Sequence, residues 1–223
     1  MAIKPKFGQV LKFRLGIICL LFMTQLVHGQ AEWEYQPNFA IKFNVLGLVA
    51  HTPGIELGVE HTIGKDRTIH LAGAYLSDFG IFTNKNFEGY KLVGEYRFYD
   101  ALQTVHENSY LALQFNLKKA FAEGRAFVDR ANGNFQELVD ATVENTSLDF
   151  LLAVGAVEPL LDWLSLDVSV VGGVKRLTLS SDDITDDAIF SELEPPIINF
   201  TMREFGSRWY PVFRVQLKLN FEF

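Results

Sequence analysis

The chain has 223 residues, 48% apolar and 13% aromatic, with 20 basic and 27 acidic side chains and a formal charge of −7. That is long enough for one sizeable domain, too apolar for a disordered chain, and too acidic for a surface that neutralises nucleic-acid phosphates. Its single cysteine rules out a disulfide scaffold and a cysteine-rich metal site.

Residues 1–29 read as a secretory signal peptide. Lys4, Lys6, Lys12 and Arg14 form a cationic start with no acid, followed by an apolar run over 15–23. That run is shorter than the ~20 residues a membrane helix needs. Val27, His28 and Gly29 suit cleavage before Gln30, with a cut after Ala31 as the alternative. Cys19 lies inside the apolar run behind Ile17 and Ile18, so it does not read as a lipoprotein site. Cleavage would remove the only cysteine and four cations, taking the charge from −7 to −11.

The remainder, 30–223, reads as one domain written in period two. Side chains in a strand alternate between faces, so strict alternation of apolar and polar residues predicts strands and not helices. Eight such segments follow, near 38–48, 55–62, 67–76, 89–99, 109–119, 147–157, 163–175 and 210–223. Their length is that of a membrane-crossing β-strand, about 9–11 residues. Thr52-Pro53-Gly54, Gly64-Lys65-Asp66 and Glu158-Pro159 supply turn chemistry after the first, second and sixth. The long connections 77–88, 120–146 and 180–208 follow the third, fifth and seventh strands and so share one end. Asn132-Gly133-Asn134 reads as a turn that carries strands five and six outward as a hairpin.

The last strand is the clearest. Phe213, Val215, Leu217, Leu219, Phe221 and Phe223 alternate with Arg214, Gln216, Lys218, Asn220 and Glu222. Across all eight, one face carries Phe43, Leu57, Leu71, Leu92, Leu113, Phe115, Phe150, Leu152, Leu166, Val168, Leu217 and Leu219. The other carries Lys42, Glu56, Glu60, His70, Lys91, Glu95, Arg97, Lys118, Asp149, Asp167, Lys175, Arg214, Lys218 and Glu222.

Two architectures fit. A soluble lipocalin-like barrel turns the apolar face inward around an apolar ligand; a transmembrane barrel turns it outward to lipid. The near balance of charge on the polar face suits a crowded lumen, where each ion needs a partner. Aromatics gather near predicted strand ends: Trp33, Tyr35, Phe39, Phe98, Tyr99, Tyr110, Trp163, Phe221 and Phe223 at one, and Tyr75, Phe79, Tyr90, Phe121, Trp209 and Tyr210 at the other. Two membrane interfaces select such belts. The fold expected is therefore all-β: an eight-stranded antiparallel up-and-down transmembrane β-barrel with a filled polar lumen and no pore. Much of the apolar content then belongs to the lipid-facing band and its aromatic rims, which accounts for the abundance of phenylalanine.

The stretches IKFNVLGLVAHTPGIELGVEHTIGKDRTIHLAGAYL (41–76), GYKLVGEYRFY (89–99) and WLSLDVSVVGGVKRL (163–177) resemble a family of small outer-membrane β-barrels of unknown function common in Bacteroidetes. The resemblance implies fold and compartment, the outer membrane of a Gram-negative bacterium, and carries no catalytic residues. Terminal Phe221 and Phe223 look like the signal read by the barrel assembly machinery.

Chemistry is sparse. A membrane-embedded lipid-modifying enzyme would need a Ser–His–acid set near the outer rim. Neither His51, at the turn after strand one, nor His61, facing outward at the short-turn end, has a serine of fitting context nearby. No cofactor and no metal are expected. Ser180 to Asp187 offers oxygens to a cation but lacks the spacing and glycine of a calcium loop. Segments 120–147 and 180–208 carry net charges of −3 and −5. Expected partners are outer-membrane lipid and lipopolysaccharide, the assembly machinery, and an extracellular partner through 120–146 and 180–208.

Overall fold

The structure, a computed structural model, describes residues 38–48, 54–77, 87–102, 108–130, 135–181 and 206–223. The segment 1–29, Trp33, Tyr35, Phe79, His51, and most of 180–208 lie outside the described residues.

Eight strands are present: β1 (Phe39–Asn44), β2 (Gly54–Gly64), β3 (Arg67–Ser77), β4 (Phe87–Phe98), β5 (Ser109–Arg130), β6 (Phe135–Leu161), β7 (Leu164–Ser180) and β8 (Gly206–Glu222). Each pairs antiparallel with the next, and β8 returns to β1 with Ala40 opposite Glu222 and Asn44 opposite Lys218. The single up-and-down sheet therefore closes in a ring, which leaves no unpaired edge along the closed section. Among the described residues no helix is long and apolar enough to cross a membrane. The connections after β1, β3, β5 and β7 meet at one end of the ring, here called the upper end.

Several boundaries differ from those the alternation predicts. β1 stops at Asn44, and Leu46–Leu48 forms a short 3-10 turn tied by Asn44 Oδ1 accepting from the Gly47 amide at 3.1 Å. β6 does not end at Glu158-Pro159. It runs on to Leu161, and the chain reverses through residues 162–163. The register shifts between Pro159 and Leu161. A proline has no amide to give the ladder, so a bulge absorbs it.

The largest difference is 120–146, which is mostly strand and not a loop. β5 has 22 residues and β6 has 27, paired as far as Arg130 opposite Phe135. Their neighbours stop earlier, β4 at Phe87 opposite Ala122 and β7 at Ser180 opposite Glu144. Beyond those points β5 and β6 continue as a two-stranded ribbon.

The strands lengthen upward because their pattern changes sign there. In the lower part polar residues point in and apolar ones out. In the upper part Leu76, Phe87, Ala120, Ala122, Val143, Leu177 and Leu179 are buried inside, and Glu88, Glu123, Thr142, Arg176 and Ser180 are exposed outside. Lys119 and Glu144 pair on the outer face at 2.8 Å, at the level where the exterior becomes charged. One sheet thus carries two opposite hydrophobic patterns in series.

Candidate functional site: two charge clusters inside the ring

The ring brings inward-facing residues from non-adjacent strands into contact. In the lower interior Lys42, Glu60, His70, Glu95, Arg97, Asp167 and Lys218 have side chains at most 1% exposed. Arg97 is the hub. Its guanidinium lies 2.8 Å from Asp167 and 3.4 Å from Glu60, pairs with Glu95, and sits 4.1 Å from the centre of the Tyr110 ring. Lys42 pairs with Glu60 and reaches Asp167 at 3.0 Å; Lys218 reaches Glu95 at 3.1 Å, with His70 3.7 Å from the same carboxylate. Three cations thus meet three carboxylates. Pairing of this kind offsets the several kcal/mol each buried ion loses on leaving water.

Two tyrosines complete the cluster. The Tyr110 hydroxyl donates to Asp167 at 2.6 Å, and that of Tyr99 to Glu60 at 3.2 Å; Thr68 also donates to Glu60, at 2.5 Å. Tyr99 and Tyr110 therefore belong to the interior and not to an aromatic belt. Strand parity explains it: Tyr99 shares a face with Glu95 and Arg97, and Tyr110 with Gln114. That parity was readable, and the rim position of both residues obscured it. Glycines make the room. A Cβ on Gly155 would stand 2.6 Å from the Tyr110 ring, and one on Gly58 2.5 Å from His70 Nε2.

A layer of amides lies above. Gln216 donates to Gln114 at 3.3 Å, Gln114 to Asn116 at 3.0 Å, and Asn116 to Asp149 at 3.2 Å. Over it the interior opens into a cavity of about 230 Å³ lined by Glu56, Lys91, Lys118, Asp149, Lys175 and Arg214 among others. Glu56 accepts from Lys91 at 2.5 Å and from Asn44 at 3.0 Å. Arg214 stands 3.6 Å from Asp149. Lys118 and Lys175 have no carboxylate within 4.0 Å among the described residues. Lys91 and Lys118 are direct cross-strand partners on the same inner face, an arrangement of like charges that costs stability. Tyr210, opposite Lys175 in register, points inward too and is not part of a belt. Glu222, opposite Ala40, closes the lower rim and is half-buried.

The outer face holds the apolar residues. Leu57, Leu71, Leu92, Leu113, Phe115, Phe150 and Leu152 are exposed, Leu71 by 57%. Phe43, Val168, Leu217, Leu219 and Phe221 are half-buried on that face, and Phe223 is exposed at the end of the chain. Leu166 departs from the set: on the outer parity between Glu158 and Leu219, it is only 8% exposed. Trp163 stacks on Phe221 at 6.1 Å near the lower rim, and Tyr75 pairs with Tyr90 near the upper.

His61 is on the outer face, its Nδ1 2.7 Å from the Asn38 carbonyl oxygen. His106, like His51, lies outside the described residues. Among the described residues no group of three His, Cys, Asp or Glu side chains is placed to hold a metal; residues 182–187 lie outside that set.

No curated protein and no solved structure matches the chain. A family model does, over residues 15–133, a span that contains 41–76 and 89–99 and excludes 163–177. The chain belongs to the family described as "Protein of unknown function (DUF3575)".

Proposed function

We propose that the chain is an integral outer-membrane β-barrel with a filled interior and a structural or surface-interaction role, reached by signal-peptide-dependent export. One observation carries the reading. The outer face bears no Asp, Glu, Lys or Arg over 39–43, 55–61, 69–75, 90–98, 109–117, 146–156, 164–174 and 209–221, whereas the interior at those levels is charged. An uncharged apolar belt around a polar interior is what lipid requires of a closed sheet. β3 has eleven residues; at ~3.4 Å per residue and a tilt near 40° it rises about 26 Å, close to the ~25 Å apolar band of such barrels. The return of charge to the exterior above Tyr75 and Tyr90 fits a water-exposed upper end.

The direction of the faces favours this over a soluble carrier, whose ligand would need an apolar interior at mid-height. The ion-paired lower cluster favours a plug over a pore. The β5–β6 ribbon is the part that reaches a partner outside the cell, together with 180–208. Phe221 and Phe223 serve the assembly machinery, and the outer face meets lipid and lipopolysaccharide.

The test is physical. The mature chain should need detergent to stay monodisperse and should migrate faster in mild SDS before boiling than after. Leu71→Arg should cost about 2–4 kcal/mol of folding stability in lipid vesicles, as a charge at the bilayer midplane does. A chain that is monodisperse without detergent, or indifferent to arginine at 71, would sink the proposal.

A further inference from the structure

The upper cavity holds four cations, Lys91, Lys118, Lys175 and Arg214, against two carboxylates, Glu56 and Asp149. Lys91 is satisfied by Glu56, and Arg214 faces Asp149. Lys118 and Lys175 have no carboxylate within 4.0 Å among the described residues, although Asp149 stands opposite Lys175 in the ladder. A ring that pairs its lower charges three to three has no structural reason to leave two lysines unpaired, one of them opposite a third lysine. Three further donors aim at nothing: Nε and one terminal nitrogen of Arg214, and the hydroxyl of Tyr210, are buried without a hydrogen-bond partner. The site is also reachable, since Lys91 and Arg214 are 16% and 29% exposed where the lower cluster is sealed.

We propose that this cavity binds a phosphate-type dianion: inorganic phosphate or the phosphomonoester of a headgroup. The formal excess of two cationic side chains over carboxylates suits a phosphate monoester, which carries about −1.5 to −2 at pH 7. A guanidinium with free N–H groups flanked by ammonium ions is the donor set that tetrahedral oxyanions take, Arg as a fork and Lys as point charges. The volume of about 230 Å³ leaves room for the ester substituent or for water beside the anion. Asn116 and Arg214 engage Oδ2 of Asp149, and Asn44 and Lys91 engage Glu56, while Oδ1 of Asp149 is buried without a hydrogen-bond partner. This site goes beyond the membrane reading and does not depend on it. Loss of detergent dependence would end that reading and leave the binding result standing.

The experiment is calorimetric titration of the full mature chain in maltoside micelles near pH 7.5, where phosphate is mostly dianionic. Inorganic phosphate and dihexanoyl phosphatidic acid are titrated separately, with sodium chloride at matched ionic strength as the blank. Saturable one-site binding of either is expected. Binding of both assigns the free ion as a sufficient ligand; binding of the lipid alone assigns the headgroup. Lys118→Gln with Lys175→Gln should weaken binding at least about tenfold, the loss of charge-assisted contacts. Lys119→Gln, on the outer face, should leave it unchanged. Should the double variant not fold, Arg214→Lys keeps the charge and removes the fork, and should weaken binding by at least about threefold. Heats equal to the chloride blank for both probes, or equal affinities in the folded variants and the parent, would overturn the proposal.

Discussion

The lower and upper halves of the interior are built from the same residue types and behave as opposites. Below, Lys42, Arg97 and Lys218 meet Glu60, Glu95 and Asp167 in a sealed cluster. Above, four cations share two carboxylates in an open cavity. The lower arrangement is a way to fill a ring of eight strands when the outside is reserved for apolar side chains. Every buried ion has a partner, and two tyrosines supply the remaining donors. The upper arrangement leaves charge unsatisfied where solvent reaches it, which is a poor design for packing and a useful one for holding an anion. Fill and site are distinguished by charge balance, not by which residues are present.

The sharpest way to break the contrast is at Arg97. Arg97→Met removes the hub and leaves three carboxylates to share Lys42 and Lys218 in a dry interior; the expected loss is about 3–5 kcal/mol, as when one partner of a buried ion pair is deleted. Urea unfolding in vesicles would measure it, and a loss below 1 kcal/mol, roughly that of an exposed pair, would mean the cluster is hydrated. Tyr110→Phe is milder. It keeps the ring over Arg97 and loses the bond to Asp167, worth about 1.5–3 kcal/mol for a hydrogen bond to a charged acceptor. The same titration would read it, and Gly155→Ala should produce a comparable loss by displacing the ring. Lys118→Gln should have the smallest effect and the opposite sign. Without phosphate it removes a like charge facing Lys91, so stability should be unchanged or rise by about 0.2–1 kcal/mol. Destabilisation by Lys118→Gln in phosphate-free buffer would show that the upper cluster is structural after all.

Much of this was legible in the residues. Alternation alone located eight strands and sorted side chains onto two faces, because the period of a strand is two and one slip moves every side chain across the sheet. It failed where the pattern changed phase. Residues 141–144 place Ala141 and Val143 inward and Thr142 and Glu144 outward, the reverse of the apolar-out pattern below, and alternation of that one pattern begins strand six only at 147. Pro159 looked like a chain reversal and is a bulge. Tyr99 and Tyr110 looked like belt residues because position along a strand was weighed above parity. The balance of charge on the polar face, seven bases to six acids, was visible too. Its division into a neutral cluster and a cationic one was not.

What the sequence determines by itself is therefore local: where strands run, which residues share a face, and which face could tolerate lipid. Those follow from backbone periodicity and side-chain polarity, and neither needs a distant partner. Tertiary structure alone decides which ions meet. Lys42 and Asp167 are 125 residues apart and Lys218 and Glu95 are 123 apart. Ring closure and strand register bring them within hydrogen-bonding distance, and the same register sets Lys118 opposite Lys91 and Lys175 opposite Asp149, with no carboxylate within 4.0 Å of either lysine among the described residues.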